Sequence, residues 1–394
     1  MLGTREFVLA DDAFSPGDSF PLGSDPRFRL AARGTSRTVR RTWLDTFDWK
    51  LFRAGLTLEH ITGPRTAELV LTGRDGELVA AESAGGLRWP SLAGVLPPGP
   101  LREQLAKVTG VRALLPVVRA TSALTERRAL NSDDKTIAVL TVDQLTLTQP
   151  RRTSAPARLA VAPLRGYQPQ TARLADLIAG LPGVSVPGQS TFETALHAAG
   201  RRPGDYTSKI DVRLSADLPA ALAVVTVLAR LAETMQANVA GTIRDIDTEF
   251  LHDLRIAVRR TRSVLKLAGA VLPASLVSRY RPEFKWLGDL TTPTRDLDVY
   301  LLGYDSMAAG LIAATEPELQ PFHDYLRRQR AGAHRQLCRG LRSARYTGLA
   351  ARWTRDLDAV AASPGRGPDH GEFAAGTIIQ APRRVLLLCG GSGP

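Results

Sequence analysis

The chain has 394 residues, with 51 lysines and arginines against 39 aspartates and glutamates, so its formal net charge at pH 7 is +12. This length predicts more than one domain, because single hydrophobic cores rarely grow so large. A hydrophobic content of 44% excludes a chain that is disordered throughout. Two cysteines are too few for a disulfide framework or a cysteine-based zinc site, and they favour a reducing, cytoplasmic compartment. The positive charge favours polyanionic partners.

Residues 1–150 have the pattern of a β-rich domain. Short runs rich in valine, leucine and threonine are separated by turn signals such as Gly73–Gly76, and Leu101–Gly110 is the one helical interruption. Many short strands at this spacing predict an antiparallel barrel or sandwich. Residues 151–209 contain several prolines and one short helical pattern, and they are predicted to form a linker with short helices.

Residues 210–365 have the pattern of an all-helical domain, so the chain is predicted to be an α+β multidomain protein, with an atypical tail at 366–394. Apolar residues recur at three- and four-residue steps from Asp217 onward. The longest apolar run, Leu218 to Ala229, is too short to span a bilayer, and no membrane partner is predicted. Further helices are predicted at Asp245–Ala270, at Ala274–Leu290, from Thr294, and at Pro317–Arg342.

The second of these helices carries two distinct faces. One face is apolar and is predicted to point inward: Leu251, Leu254, Val258, Thr261, Leu265 and Ala268. The other is basic: His252, Arg255, Arg259, Arg262 and Lys266. Like charges at these spacings repel each other unless something neutralises them, and a solubilising face would intersperse acids. The pattern therefore favours an anionic ligand, and a solvated basic face is the alternative.

A second basic row occurs on the helix predicted at Pro317–Arg342. It consists of Arg328, Arg335, Arg339 and Arg342, while the inward face is predicted to contain Phe322, Leu326, Ala333, Leu337 and Leu341. Lys285 and Arg295 add charge from the helices between the two rows. Two facing rows of guanidinium groups would suit a linear phosphate polymer, because arginine offers paired donors that match phosphate oxygens.

These residues resemble the motif of the CHAD domain, a helical domain with a conserved histidine. The pattern H-x-x-R-x-x-x-R-R-x-R is present as His252, Arg255, Arg259, Arg260 and Arg262, and R-D-x-D as Arg295, Asp296 and Asp298. The resemblance covers about residues 205–350 and implies an all-helical domain that binds inorganic polyphosphate in a basic cleft. It implies phosphate contacts from the arginines of both motifs, joined by Lys266, Lys285 and the second basic row. The acids of the second motif are expected to orient helices or form salt bridges.

CHAD domains usually have two similar helical halves, and this chain is expected to supply the first half and part of the second. An incomplete bundle would expose apolar surface, so self-association or marginal stability is expected.

The N-terminal region is similar to the CYTH, or triphosphate-tunnel, family, which implies a tunnel-like antiparallel β-barrel. The stretch Thr42–Leu58 matches a family motif through Asp45, Thr46, Asp48 and Gly55. The family's first strand has the pattern E-x-E-x-K, whereas Thr4, Glu6 and Val8 stand here. Because a triphosphatase needs a divalent metal and Glu6 alone cannot hold one, a degenerate tunnel without metal, cofactor or catalysis is predicted.

The sequence thus predicts a non-enzymatic protein that binds inorganic polyphosphate, located in the cytoplasm and associated with polyphosphate granules. The first alternative is a metal-dependent hydrolase of triphosphate or polyphosphate that uses the N-terminal tunnel. The second is nucleic-acid binding, against which the basic rows lack interleaved aromatic residues for base stacking.

Overall fold

A computed structural model of the chain describes residues 3–10, 27–32, 34–215, 217–311 and 315–362. Contacts divide the chain into two compact units, Met1–Tyr206 and Thr207–Pro394. The tail predicted at 366–394 lies outside the described residues.

The first unit is an antiparallel sheet with four helices. Its strands are β1 (Arg5–Leu9), β2 (Phe28–Leu30), β3 (Thr35–Asp45), β4 (Thr57–Thr62), β5 (Ala67–Thr72), β6 (Leu78–Ser83), β7 (Ser91–Leu92), β8 (Ala113–Asn131), β9 (Thr136–Gln149), β10 (Thr153–Ser154), β11 (Arg158–Pro163) and β12 (Val184–Ser185). Its helices are α1 (Lys50–Arg53), α2 (Pro100–Thr109), α3 (Gln168–Ala179) and α4 (Thr191–Ala198).

The main path of the sheet is β12-β1-β11-β9-β8-β3-β4-β5-β6, with β2, β7 and β10 attached at its side. The predicted antiparallel sheet is therefore present, but among the described strands it is open and does not close into a barrel. Closure would require pairing between the two end strands, β12 and β6. Because β12 contributes only two residues, it offers too short a row of backbone groups for such a pairing.

Residues 151–209, predicted as a linker, contribute two helices to the cores of the first unit. Leu174 and Ile178 of α3 pack with residues of β1, β9 and β11. Phe192 of α4 packs on Trp43 of β3 with ring centroids 6.2 Å apart. The contact boundary at Tyr206 therefore lies after these helices, because their apolar faces are buried against the sheet.

The second unit is helical. Its helices are α5 (Ala220–Ile243), α6 (Thr248–Leu267), α7 (Ala274–Leu302), α8 (Tyr304–Ala309), α9 (Glu316–Arg342) and α10 (Ala344–Ala362). Helix α6 packs on α5 and α7, α9 packs on α7, and α10 packs on α5. Trp353 of α10 lies in the shared core, with its ring 4.6 Å from that of Tyr280 and 5.0 Å from that of Phe284.

Helix α6 begins at Thr248, three residues after the predicted start, and its apolar face points inward as predicted. The Asp247 side chain caps it by accepting hydrogen bonds from the backbone N–H groups of Glu249 and Phe250. All six residues of the predicted apolar face are buried, the most exposed being Ala268 at 6%. The prediction of this face is confirmed, because the helical period fixes which side chains share a side.

Helix α7 corrects the prediction of two separate helices around Pro293. It runs without interruption from Ala274 to Leu302 and contains Pro282 and Pro293. Its buried face continues across Pro293 through Leu287, Thr291, Thr294 and Asp298. A proline removes one backbone hydrogen bond, and the tertiary packing on both sides of Pro293 keeps the helix continuous despite that loss.

Phe322 corrects the predicted inward face of α9. Its side chain is 54% exposed and lies beside the ring of Tyr304, with centroids 6.5 Å apart. Leu326, Leu337 and Leu341 are buried as predicted. Phe322 belongs to the first turns of α9, where the helical period places it inward, but among the described residues the neighbouring Tyr304 of α8 leaves about half of its surface exposed.

Within the part of the chain that the structure describes, α5 alone has the length and mean hydropathy of a membrane span, as far as composition can tell. Its side chains Val225, Leu228 and Leu231 are buried in the core that α5 shares with α6 and α10. This packing is that of a core helix in a helical bundle.

Candidate functional site

Helices α6 and α7 form a cationic groove in the second unit. The groove has a volume of about 540 Å³ and is lined by Arg259, Arg262, Ser263 and Lys266 of α6 and by Arg281, Pro282 and Lys285 of α7. Five of its seven lining residues are therefore lysine or arginine. Among the described residues, no acidic side chain lines it. We refer to it below as the cationic groove.

The geometry of α6 explains why three of these cations share the groove. Arg259, Arg262 and Lys266 lie one turn apart on the exposed side of α6, opposite the buried Thr261 and Leu265. Seven residues of helix correspond to a rise of about 10 Å, so the charges extend along the groove. The arrangement can hold an extended anion with several charged groups.

Asp289 lies beside the groove and competes for one of its cations. Lys285 Nζ donates a hydrogen bond to Asp289 Oδ2 at 2.9 Å, and both side chains are more than half exposed. This hydrogen bond lowers the pKa of the Asp289 carboxyl group. Exposed pairs of this kind contribute little to stability, so an anionic ligand can displace Asp289 from Lys285.

Arg255 and Arg295, both predicted to contact phosphate, contribute to the contact between α6 and α7. Arg255 Nη1 donates to the hydroxyl of Thr292 on α7. Arg295 is 14% exposed and lies 3.8 Å from the carboxylate of Glu249 on α6. Both arginines therefore lie past the end of the groove lining, where they bridge the two helices.

The predicted residues of α9 are not brought into the cationic groove. Arg328, Arg335, Arg339 and Arg342 are all exposed on α9. Helix α9 packs on α7, α5 and α10 and makes no extensive contact with α6. The structure therefore brings together Arg259, Arg262, Lys266 and Lys285 from the predicted set, while His252 and Arg260 are half-buried elsewhere on α6.

Two arginines that the sequence analysis did not single out have defined places in the structure. Arg281 lines the groove, and its four-residue step to Lys285 is the signal that would have revealed it. Arg330 of α9 donates from Nε to Asp298 Oδ1 at 2.7 Å and from Nη2 to Asp245 Oδ1 at 2.6 Å. Asp298, the last acid of the R-D-x-D motif, thus forms a salt bridge between α7 and α9.

Burial raises the pKa of both Asp298 and Asp245, whereas Arg330 lowers the pKa of both. Burial raises the pKa of Asp298, and Arg330 offsets only part of that effect. For Asp245, burial also acts to raise the pKa, but the hydrogen bond and charge of Arg330 outweigh it, so the net shift is downward. Asp298 is the more deeply buried carboxylate, at 1% exposure against 39% for Asp245, which accounts for the difference.

Several charged side chains of the first unit's sheet form ion pairs. Arg41 of β3 donates to Glu59 of β4 at 2.9 Å and to Asp143 of β9 at 2.8 Å. Glu6, which remains from the metal-binding pattern, lies 3.5 Å from a guanidinium nitrogen of Arg158. A carboxylate beside a guanidinium does not suit a divalent cation, and the described residues contain no group of three or more metal-ligating side chains.

The motif around Asp45 has a structural role. Asp45 accepts hydrogen bonds from the backbone N–H groups of Thr46, Leu51 and Phe52 at 2.7–2.9 Å. The Thr46 hydroxyl donates to Asp48 at 2.8 Å, and Gly55 takes a φ of 73°, which favours glycine. Together these contacts define the turn that leads from β3 through α1.

Comparisons with known proteins identify the second unit. A family model described as the CHAD domain matches residues 226–390. No curated protein matches the chain. Among solved structures, the chain is similar to the CHAD domain from the plant Ricinus communis, with 23% identity over 46% of this chain and 68% of that one and a TM-score of 0.35.

Two further solved structures resemble about half of the chain. A candidate adenylate cyclase from Bacillus halodurans has 11% identity over 49% of this chain and 98% of that one, with a TM-score of 0.32. A candidate adenylyl cyclase from Hippeastrum, described as having a dominant triphosphatase activity, has 15% identity over 52% of this chain and 99% of that one, with a TM-score of 0.34.

Proposed function

We propose, for a chain that carries a CHAD domain at residues 226–390, that the protein binds inorganic polyphosphate in the cationic groove between α6 and α7. The resemblance to CHAD domains implies this ligand. The observation that supports it most directly is the convergence of five cations on one groove of about 540 Å³. The guanidinium groups of arginine offer paired N–H donors to phosphate oxygens, and the ammonium groups of lysine act as compact positive charges.

The length of the groove favours a polymer over a single phosphate. The cations of α6 extend over about 10 Å, so one phosphate cannot contact all of them at once. A polyphosphate chain contacts several and releases a counterion at each neutralised charge. Affinity is therefore expected to rise with chain length and to fall steeply with salt concentration.

Binding without catalysis is supported by the first unit. The carboxylate of Glu6 is paired with Arg158, and Arg41 is paired with two acids. Among the described residues, these pairs leave neither an open carboxylate cluster for a metal nor an unpaired Arg41 for a triphosphate. We therefore propose a non-enzymatic role for the chain. We also propose that the protein is located in the cytoplasm, at polyphosphate granules.

A charge-matched pair of variants tests the site. In full-length protein, Arg259→Gln with Arg262→Gln is expected to weaken binding of long-chain polyphosphate by at least about tenfold, because two charge-assisted hydrogen bonds are lost. The slope of log affinity against log salt is expected to become shallower by about two. Both quantities are measured by titration across a salt series.

The control is Arg352→Gln with Arg355→Gln, which removes the same charge from exposed positions of α10. Its effect on affinity is expected to be much smaller. Equal losses in the two double variants would show that net charge, and not the groove, governs binding.

Two further assays separate the alternatives. Single-stranded RNA that displaces polyphosphate at equal phosphate concentration and fixed salt would favour nucleic-acid binding. Phosphate release from tripolyphosphate with magnesium or manganese, abolished by Glu6→Gln, would establish a hydrolase instead.

A further inference from the structure

Gly288 of α7 lies directly beneath the guanidinium group of Arg262. A Cβ atom built on Gly288 would be 2.8 Å from Arg262 Nη1, closer than real Cβ contacts allow. Gly288 is buried in the middle of α7, between the buried Leu287 and Thr291. The Arg262 side chain therefore crosses from α6 onto the backbone of α7 at a point where only glycine leaves room.

The same glycine also connects to Arg255. The Gly288 carbonyl accepts hydrogen bonds from the hydroxyls of Thr291 and Thr292, each at 2.9 Å. The Thr292 hydroxyl in turn accepts from Arg255 Nη1. One turn of α7 thus meets two arginines of the basic face of α6. Arg262 lies directly against Gly288, and Arg255 is linked to it by the hydrogen bonds of Thr292.

Helix propensity does not explain a glycine at this position. Glycine in a helix interior is less favourable than alanine, because it loses more backbone freedom on folding. The atom nearest to the missing Cβ is the far end of a flexible side chain, so alanine would not prevent α7 from forming. It would instead force the Arg262 guanidinium to another position.

We infer that Gly288 is a positioning residue, which keeps the Arg262 guanidinium in the cationic groove by allowing it to lie against the α7 backbone. This inference rests on the proposed polyphosphate-binding function. Gly288 would thus affect the affinity for polyphosphate although it has no charged or hydrogen-bonding side chain.

The test is Gly288→Ala in the full-length chain, with long-chain polyphosphate as the ligand. We expect binding to weaken by about threefold, because the charge of Arg262 remains nearby but its geometry is lost, whereas Arg262→Ala weakens binding by about tenfold. The melting temperature is expected to be unchanged or higher, because alanine favours the helix.

A matched control and a double variant distinguish positioning from a general structural effect. At Gly348 of α10, a Cβ would also lie 2.8 Å from a guanidinium nitrogen, that of Arg352, which is outside the groove. Gly348→Ala is therefore expected to leave polyphosphate affinity unchanged. In protein that already carries Arg262→Ala, Gly288→Ala is expected to cause no further loss.

The outcomes separate this inference from the proposed function. If Arg262→Ala weakens binding but Gly288→Ala does not, or if the two losses add fully, the positioning role is wrong and the groove remains. If neither Arg262→Ala nor the double glutamine variant weakens binding, the groove is not the site and both proposals fail.

Discussion

Arg262 and Arg330 carry the same guanidinium group in different surroundings. Arg262 is exposed in a groove whose described lining is free of acids, so its charge is available to a ligand. Arg330 is 19% exposed and forms salt bridges with Asp298 and Asp245. An arginine becomes a candidate ligand contact only where the fold leaves its donors unused, which depends on neighbours distant in sequence.

Asp45 leads to a prediction about pH. Burial raises the pKa of its carboxyl group to about 6, although three backbone hydrogen bonds act in the opposite direction. The folded state therefore binds a proton more tightly than the unfolded state, in which the ordinary value is 3.8. The stabilising contribution of the protonated form is complete below the unfolded value and is lost as pH rises through about 6.

As the pH rises from 5 to 7, the contribution of Asp45 to the free energy of unfolding is thus expected to fall by about 1 kcal/mol. Asp45→Asn should remove this part of the pH dependence. Denaturant unfolding of parent and variant at both pH values measures it, and identical pH slopes in the two proteins would contradict the assignment.

Helix α7 has two sides with different roles: one lines the proposed ligand groove, and another packs against α9. One side lines the cationic groove through Arg281 and Lys285. Another carries Asp298, which meets Arg330 of α9. The salt bridge holds α9 on α7 and, through Asp245, also holds the residues that follow α5.

Arg330→Met is expected to destabilise the second unit by about 3–5 kcal/mol, because the buried Asp298 would lose its hydrogen-bonded counter-charge. Adding Asp298→Asn to that variant should recover part of the loss. Denaturant unfolding followed by far-ultraviolet circular dichroism, which reports mainly the helices, measures the change. Arg327→Met, at an exposed neighbouring position of α9, is the control and should change stability by less than about 0.5 kcal/mol.

Exposed apolar side chains are concentrated in one part of the second unit. Seven of them, each about half exposed, lie at the end of α7, in α8, and from Leu311 into α9: Val299, Tyr300, Leu302, Met307, Leu311, Phe322 and Tyr325. At about 100 Å² each they present roughly 700 Å², close to the ~800 Å² that each partner contributes to a standard protein interface. These side chains are candidates for the surface through which the self-association expected from the sequence would occur.

We expect the protein to form dimers or larger species whose proportion rises with concentration. Tyr300→Ser with Phe322→Ser should shift it toward monomer, as measured by size-exclusion chromatography with light scattering. The control is Leu78→Ser with Val95→Ser, which removes similarly exposed apolar groups from the first unit. A parent protein that is monomeric at all concentrations and melts in one sharp transition would rule out this surface as an interface.

The local pattern of residues was sufficient to predict the buried face of α6 and the exposed part of its basic face. Leu254 and Val258 are buried and Arg259 and Arg262 are exposed, because the helical period alone determines which side chains share a side. The R-D-x-D salt bridge and the antiparallel character of the N-terminal sheet were also accessible from sequence. The family motif added the CHAD domain, which the family model matches at residues 226–390.

Only the tertiary structure decided which cations meet. It placed Arg281 in the groove, kept the basic row of α9 out of it, and carried α7 through Pro293. It also left the sheet open and gave Gly288 its place under Arg262. These features depend on how elements far apart in the chain pack together, and side-chain periodicity within one element contains no information about which neighbour will cover it or what that neighbour will bring.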